Sequence, residues 1–425
     1  VSVLPARLLP DSASVGADGW LTVGGCSLSD LAQEFGTPLF VYDEAQLRTR
    51  CREAVTAFPD GVAYATKAFL CKAMAALAHE EGMWLDVATG GELHVALAAG
   101  VPAGHLVLHG SNKSEAELWR AVEAGVGRIV VDSFDELDRL EQLMTVLAPG
   151  AAPQVLLRLT PGVEAHTHEF VRTGQEDSKF GFGVASGAAA LALERASKSE
   201  AVDLVGIHMH IGSQVFVADF FEQAVEIIAP LLAEAGGLPE LCIGGGIGVA
   251  YVEGETAPSI TEWGTAVRHA CQVAGVQARV TAEPGRSIVA SAAVTVYEVG
   301  TIKELPGIRT YVSVDGGMSD NPRPVLYGSG YETFLPRAPF ADRPQRVRVV
   351  GKHCESGDVL VPEAKVPDDL VIGDLLATPV TGAYGHSMGS NYNKVTRPAV
   401  VFCAEGDARL VVRRETDDDL LRLDL

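Results

Sequence analysis

The 425-residue sequence predicts an α/β protein: a (β/α)8 barrel of the TIM type with a second, all-β domain. Three observations carry this. Eight short β-prone runs alternate with helix-like segments before residue 284. From residue 288 the alternation stops and strand-like runs follow, punctuated by Gly and Pro. Chemistry-bearing motifs fall at the ends of several early runs, where a barrel strand opens into its mouth.

The eight runs are 62–65, 83–87, 105–109, 128–131, 154–159, 204–210, 240–244 and 278–283. Between them apolar residues recur at i, i+3 and i+4. A helix is expected over 69–80, directly after the first strand. Two further helices should open with capping boxes, Ser114 with Glu117 and Ser133 with Glu136. An open doubly wound sheet is the competing arrangement. Later strands are expected at 288–299, 311–314, 347–350, 359–361, 375–378, 399–402 and 408–412. The first 38 residues hold a helix-like run at 29–35 and a β-prone stretch at 20–23 that has no place in a barrel. The expected boundaries are 39–287 for the barrel and 1–38 with 288–425 for the β domain.

Composition narrows the function. Net charge is −22, from 33 Lys+Arg against 55 Asp+Glu, which disfavours nucleic acid and anionic membrane surfaces as partners. No apolar stretch reaches the ~18 residues of a membrane span, and the start carries no signal-peptide core. Seven cysteines at irregular spacing, without a C-x-x-C pair, read as reduced thiols of a cytoplasmic protein. No metal site is expected.

Lys67, in Tyr64-Ala65-Thr66-Lys67-Ala68-Phe69, sits where the first strand gives way to a helix. An amine there can form a Schiff base with an aldehyde cofactor, of which pyridoxal phosphate (PLP) is the usual one. A solvated surface charge is the alternative reading. Gly244, Gly245 and Gly246 follow the seventh strand and suit a phosphate-binding turn, or a plain tight turn. Glu283-Pro284-Gly285-Arg286 ends the eighth. Its carboxylate suits a protonated pyridine nitrogen, its arginine a phosphate or carboxylate, and a surface salt bridge would explain both equally. His208 and His210 share one side of the sixth strand. His210 suits a ring stacked on a flat cofactor, with Ser213 donating to phosphate, and His208 reads as a packed core residue. No carboxylate is expected beside them to complete a metal site. Three turn-rich loops mark the β domain: 315–324 with Tyr327, 354–358 with Cys354 and Glu355, and 382–385 with Tyr384.

Together the motifs Y-A-T-K-A-F, H-I-G-S-Q, G-G-G-I-G, E-P-G-R, D-G-G-M-S-D-N, C-E-S-G-D and G-A-Y resemble those of the fold-type III PLP-dependent decarboxylases, the alanine racemase and ornithine decarboxylase fold. The match runs from about residue 20 to the C-terminus and is to the branch acting on diaminopimelate. The resemblance implies decarboxylation of meso-2,6-diaminopimelate to L-lysine and CO2. It implies that Lys67 carries PLP and that His210 stacks on the ring. Ser213, Gly244 to Gly246, Pro284, Gly285 and Arg286 would surround the phosphate, and Glu283 would hold the pyridine nitrogen protonated. Arg286, Arg323 and Tyr327 would read the substrate's distal carboxylate, Glu355 its distal ammonium, and Tyr384 both cofactor and substrate. Cys354 would be the general acid. A homodimer with shared active sites follows, each Cys-Glu loop entering its partner's site.

Two alternatives stay open: a sister decarboxylase acting on ornithine, arginine or a secondary-pathway amino acid, and a non-catalytic PLP-binding protein. Diamine-forming members carry Asp rather than Glu after the cysteine. PLP-carrying homeostasis proteins lack the β domain. The sequence departs from the family pattern at His386, where another aromatic is commoner, and at Ser111, where Asn is usual.

Overall fold

The computed structural model describes residues 3–147, 152–163, 177–217 and 219–425. Two compact units divide the chain. One comprises Arg50–Gly248 and Ala257–Ser287; the other comprises Val1–Thr49, Val249–Thr256 and Ile288–Leu425.

The first unit is a barrel. Its eight strands are Ala63–Ala65, Trp84–Val87, Leu106–Leu108, Arg128–Val131, Gln154–Thr160, Asp203–Met209, Glu240–Cys242 and Arg279–Thr281, paired in parallel and in chain order. A two-residue strand, Phe182–Gly183, adds to the fifth. The circle closes where Val62 bridges Ala282 and the Ala63 N–H donates to the Ala282 carbonyl at 2.9 Å. Closure excludes the open doubly wound sheet and leaves no long free edge. All eight strands fall on the expected runs, because each is a short apolar stretch bounded by turn residues. Ala63, Val107, Val130, Leu156, Val205 and Cys242 fill the interior with one apolar cluster. On the outside, Trp263 packs between Phe58 and Phe221, with centroids at 4.8 and 5.5 Å.

The connections differ in detail from the expectation. After the first strand comes a 3-10 turn, Thr66–Ala68, and the helix starts only at Lys72. Phe69 is extended between them and fully buried, its carbonyl held by the Tyr64 hydroxyl at 2.7 Å. Ser114 and Glu117 form the expected capping box. Ser133 accepts from the Glu136 N–H, but the Glu136 carboxylate turns away to Lys113 and the Asp132 N–H. A buried ammonium at 2.7 Å competes better for that carboxylate than a neutral cap does.

In the second unit, Ala293–Leu305 is the long strand of the main sheet. It pairs with Leu39–Asp43, Arg309–Val314 and Leu375–Pro379. Gln345–Val350 and Val359–Val366 extend one side, and Ala399–Ala404 and Asp407–Val412 the other. Ser14–Val15, Leu21–Val23 and Cys26–Ser27 form a separate small sheet. Leu39–Asp43 therefore belongs with the β strands and not at the start of the barrel domain, where the boundary at residue 39 puts it. All five of its residues are buried, and such a run fits any interior strand, so its sheet is not readable locally. The expected strand over 288–299 begins only at Ala293. Arg286–Val289 and Ala290–Ala292 are helical turns whose apolar residues reflect burial. Among the described residues no helix is long and apolar enough to cross a membrane.

His386 fills the aromatic position it replaces, lying edge-on to Phe40 at 5.7 Å and 86°. Burial, and then the Arg397 charge, push its imidazole down to about 3. The folded state therefore refuses a proton that the unfolded chain accepts below its ordinary 6.5. That stability is complete above 6.5 and is lost as pH falls toward 3. His386→Phe should gain about 2 kcal/mol over the parent between pH ~7.5 and pH ~5 in urea unfolding. An equal difference at both values would contradict this.

Candidate active site

The polar residues of the barrel gather where its strands end. Lys67 follows the first strand, Asp86 lies in the second, His109 follows the third and Arg158 lies in the fifth. His208 and His210 come from the sixth, the glycine turn follows the seventh, and Glu283 follows the eighth. Arg158, His208 and Cys242 are register partners across three adjacent strands and so face the same way.

Glu283 is the hub. It is 7% exposed and accepts from His109 Nε2 at 2.7 Å and from His208 Nε2 at 2.9 Å. Burial alone would raise its carboxyl, but the two imidazoles outweigh this and hold it well below the usual carboxylate range. Burial pushes His208 down to about 4, so it is neutral near pH 7 and donates from Nε2. Its Nδ1 has no partner among the described residues. His109 is also buried, yet Asp86 and then Glu283 hold its imidazole above 6.5. The carboxylate that the sequence reading did not expect beside the histidines is thus Glu283, brought there by barrel closure. The three groups lie within 4.8 Å, a spacing that a metal could use, but here both imidazoles bond to the carboxylate itself.

Lys67 is the exposed residue of its turn, between buried Thr66 and Ala68. Its charge acts on both Asp86 and His210. Burial, and then the Lys67 and Arg158 charges, hold His210 well below its ordinary value. His210 Nδ1 accepts from the Gly245 N–H at 3.2 Å, which ties the amine's neighbourhood to the glycine turn. Gly244 and Gly246 take φ of +67° and +113°. A Cβ on Gly246 would stand 2.0 Å from the Gly212 carbonyl, and one on Gly245 would stand 2.2 Å from that of Glu283. Only glycine permits that backbone approach. Arg286 Nη2 donates to Ser213 Oγ at 2.9 Å, and Gly285 lets its turn pack on Ala65. The Pro284 carbonyl accepts from the Ala65 N–H at 3.1 Å.

Arg323, Tyr327, Cys354, Glu355 and Tyr384 belong to the other unit. Arg323 is 4% exposed and begins a short helix, Arg323–Tyr327, which sets Tyr327 one turn on. Its guanidinium lies 4.2 Å from the Tyr251 ring centre and donates to the Tyr331 hydroxyl at 2.5 Å. No carboxylate among the described residues pairs with it. Tyr384 takes φ +59°, a strained conformation for a bulky residue. Cys354 and Glu355 are exposed on a loop closed by Asp358.

Asp86, His109, Arg158, Tyr251 and Tyr331 were not singled out from the sequence. For the barrel three the signal was present: a charged residue interrupting, or ending, an otherwise apolar strand.

The residues fit a pyridoxal group. An amine, a buried carboxylate held anionic, a planar imidazole and a glycine turn beside Ser213 and Arg286 converge in one unit. The family model for the pyridoxal-binding domain of pyridoxal-dependent decarboxylases matches residues 44–290, and the chain belongs to that family of PLP-dependent carboxy-lyases. Within it, the similarity runs to one branch. Diaminopimelate decarboxylase of Mycobacterium bovis is 48% identical over 427 residues, covering 96% of this chain and 95% of that protein. That of Bacillus subtilis is 46% identical over 422 residues, covering 96% and 95%. The crystal structure of diaminopimelate decarboxylase from M. jannaschii in co-complex with L-lysine superposes with a TM-score of 0.90 at 32% identity, covering 98% of each chain. The chain is a member of the diaminopimelate decarboxylases.

Replacing Glu283 with Gln removes an anion 2.7 Å from His109. His109 should then titrate lower than in the parent, with only Asp86 left to favour its proton. Imidazole NMR across the pH range reads this directly, and an unmoved titration would contradict the hub.

Proposed function

We propose that the protein decarboxylates meso-2,6-diaminopimelate to L-lysine and CO2, with Lys67 carrying the PLP. The observation that carries the substrate reading is Arg323, a buried cation with two tyrosine neighbours and no carboxylate among the described residues. Leaving such a charge uncompensated costs several kcal/mol, and a substrate with a second, distal carboxylate answers it. PLP, when bound, supplies an electron sink for the pair left behind by CO2.

The chain's own residues do the rest. Lys67 would hold the cofactor's aldehyde through its amine. Glu283, kept anionic by His109 and His208, would favour a proton on the pyridine nitrogen of the bound group. His210 would stack on the ring of the bound group. Ser213, Gly244 to Gly246, Pro284, Gly285 and Arg286 would hold the phosphate end. Arg286, Arg323 and Tyr327 orient the distal carboxylate, Glu355 takes the distal ammonium, and Tyr384 touches cofactor and substrate. Charged hydrogen bonds of about 1.5–3 kcal/mol each disfavour ornithine and lysine, which lack that carboxylate. Cys354 delivers a proton to Cα.

The active form is a cytoplasmic homodimer in which Cys354 and Glu355 serve the site at Lys67 of the partner subunit. The β domain supplies the substrate-reading loops.

CO2 release should be measured with meso-diaminopimelate, ornithine, arginine and lysine in parallel. Turnover of meso-diaminopimelate alone is expected; comparable turnover of ornithine would sink the substrate assignment. Lys67→Ala and Cys354→Ala should each be inactive or slowed by ~10²-fold or more. Mixing and reassociating the two should restore about a quarter of parental activity, since half of the random dimers hold one intact site. No recovery on mixing would argue against shared sites.

A further inference from the structure

We propose that Asn393 is a positioning residue for Cys354, fixing the backbone at the thiol from outside the loop that carries it. The proposal rests on the reading of Cys354 as proton donor.

Cys354 is the exposed thiol; Cys71 is half-buried and the other five cysteines are buried. The loop is strung on one carboxylate. Asp358 accepts from the His353 N–H at 2.9 Å, from His353 Nδ1 at 2.8 Å and from the Met318 N–H at 2.7 Å. Those bonds fix the residue before Cys354. The N–H of Cys354 itself donates to Asn393 Oδ1 at 2.9 Å, 39 positions along the chain.

The turn that presents Asn393 is unusual. Asn393 takes φ +53° and ψ +23°, and Lys394 follows with φ +57°. Left-handed backbone at non-glycine residues costs about 1–3 kcal/mol each, and Asn is among the residues that tolerate it best. The turn is tied at its base. Asn391 Nδ2 donates to the Val395 carbonyl at 3.1 Å and to Glu415 Oε2 at 2.6 Å, and the Lys394 N–H donates to the Asn391 carbonyl at 2.8 Å. Tyr392 then lies parallel to the His353 ring, with centroids at 5.7 Å and planes 11° apart. Two consecutive residues, Tyr392 and Asn393, thus grip two consecutive residues, His353 and Cys354. The ring stack sets the separation. The hydrogen bond sets the rotation of the peptide between 353 and 354, and so the direction in which the thiol leaves the backbone. A proton donor misplaced by about 1 Å loses on the order of 10²-fold in rate.

Three substitutions separate the hydrogen bond from the backbone conformation. Asn393→Asp keeps both, Asn393→Gly keeps the left-handed φ and loses the bond, and Asn393→Ala loses both. The holoenzyme of each is treated with iodoacetamide, and Cys354 modification is followed by peptide mapping beside kcat and KM. In Gly and Ala variants the Cys354 alkylation rate should change several-fold. In the same variants kcat should fall ~10-fold or more, with KM within about 3-fold of the parent. The Asp variant should stay near the parent in both. Should the Ala variant not fold, the Gly variant decides. Parental kcat and alkylation in Asn393→Gly would overturn the proposal, as would a kcat loss with alkylation unmoved. Full activity in Cys354→Ala would instead remove the proton-donor role, while the alkylation comparison still judges the tether.

Discussion

A carboxylate buried between two imidazoles is the constraint on which the barrel site depends. Glu283 reaches His109 across 174 positions of sequence and His208 across 75. No local segment can assemble this group. It forms only when the ends of the third, sixth and eighth strands meet in a closed barrel. An unpaired buried carboxylate would take up a proton and lose its function. With two imidazoles on its two oxygens it stays charged, and each oxygen keeps a further lone-pair direction open. Pairing of neighbouring strands, by contrast, is enough to set the glycine turn beside His210 and to let Lys67 act on Asp86.

Buried charge elsewhere in the molecule is spent differently. Lys113 and Glu136, both 2% exposed, satisfy one another at 2.7 Å, and the ammonium also donates to the Gly110 and Val130 carbonyls. Arg128 meets Glu240 at 3.0 Å within the fourth and seventh strands. These pairs are closed and ask for nothing further. Arg323 is held by tyrosines instead, and Glu283 by histidines. A charge fixed by neutral or weakly charged neighbours is oriented without being cancelled, which is what recognition of an oppositely charged group requires. Burial alone does not separate the two kinds of charge; the partner set does.

Much of this was legible before any coordinates. The barrel strands are short apolar runs between turn residues, and each registers as such. Lys67, His210, Gly244 to Gly246 and the Glu283 turn all declare themselves by following such a run. The β domain was visible as a change of rhythm after residue 287. What stayed hidden depends on contacts made at long range. Leu39–Asp43 is apolar throughout and names no sheet. Ile288 to Ala292 looks like a strand because it is buried. Asp86 and Arg158 each sit singly within a strand, and His109 at the end of one, so they gain meaning only beside residues carried by other strands. Tyr251 sits between Ala250 and Val252 in a run with no helical or strand period, and its role against Arg323 exists only in the folded unit.

The central claim is that a pyridoxal group is tethered by Lys67 at the mouth that Glu283 faces. Borohydride reduction of the cofactor-loaded protein, followed by peptide mapping, tests it most directly. The expected result is a single pyridoxyl adduct, on Lys67. An adduct on Lys72 or Lys113, or on no lysine at all, would contradict it.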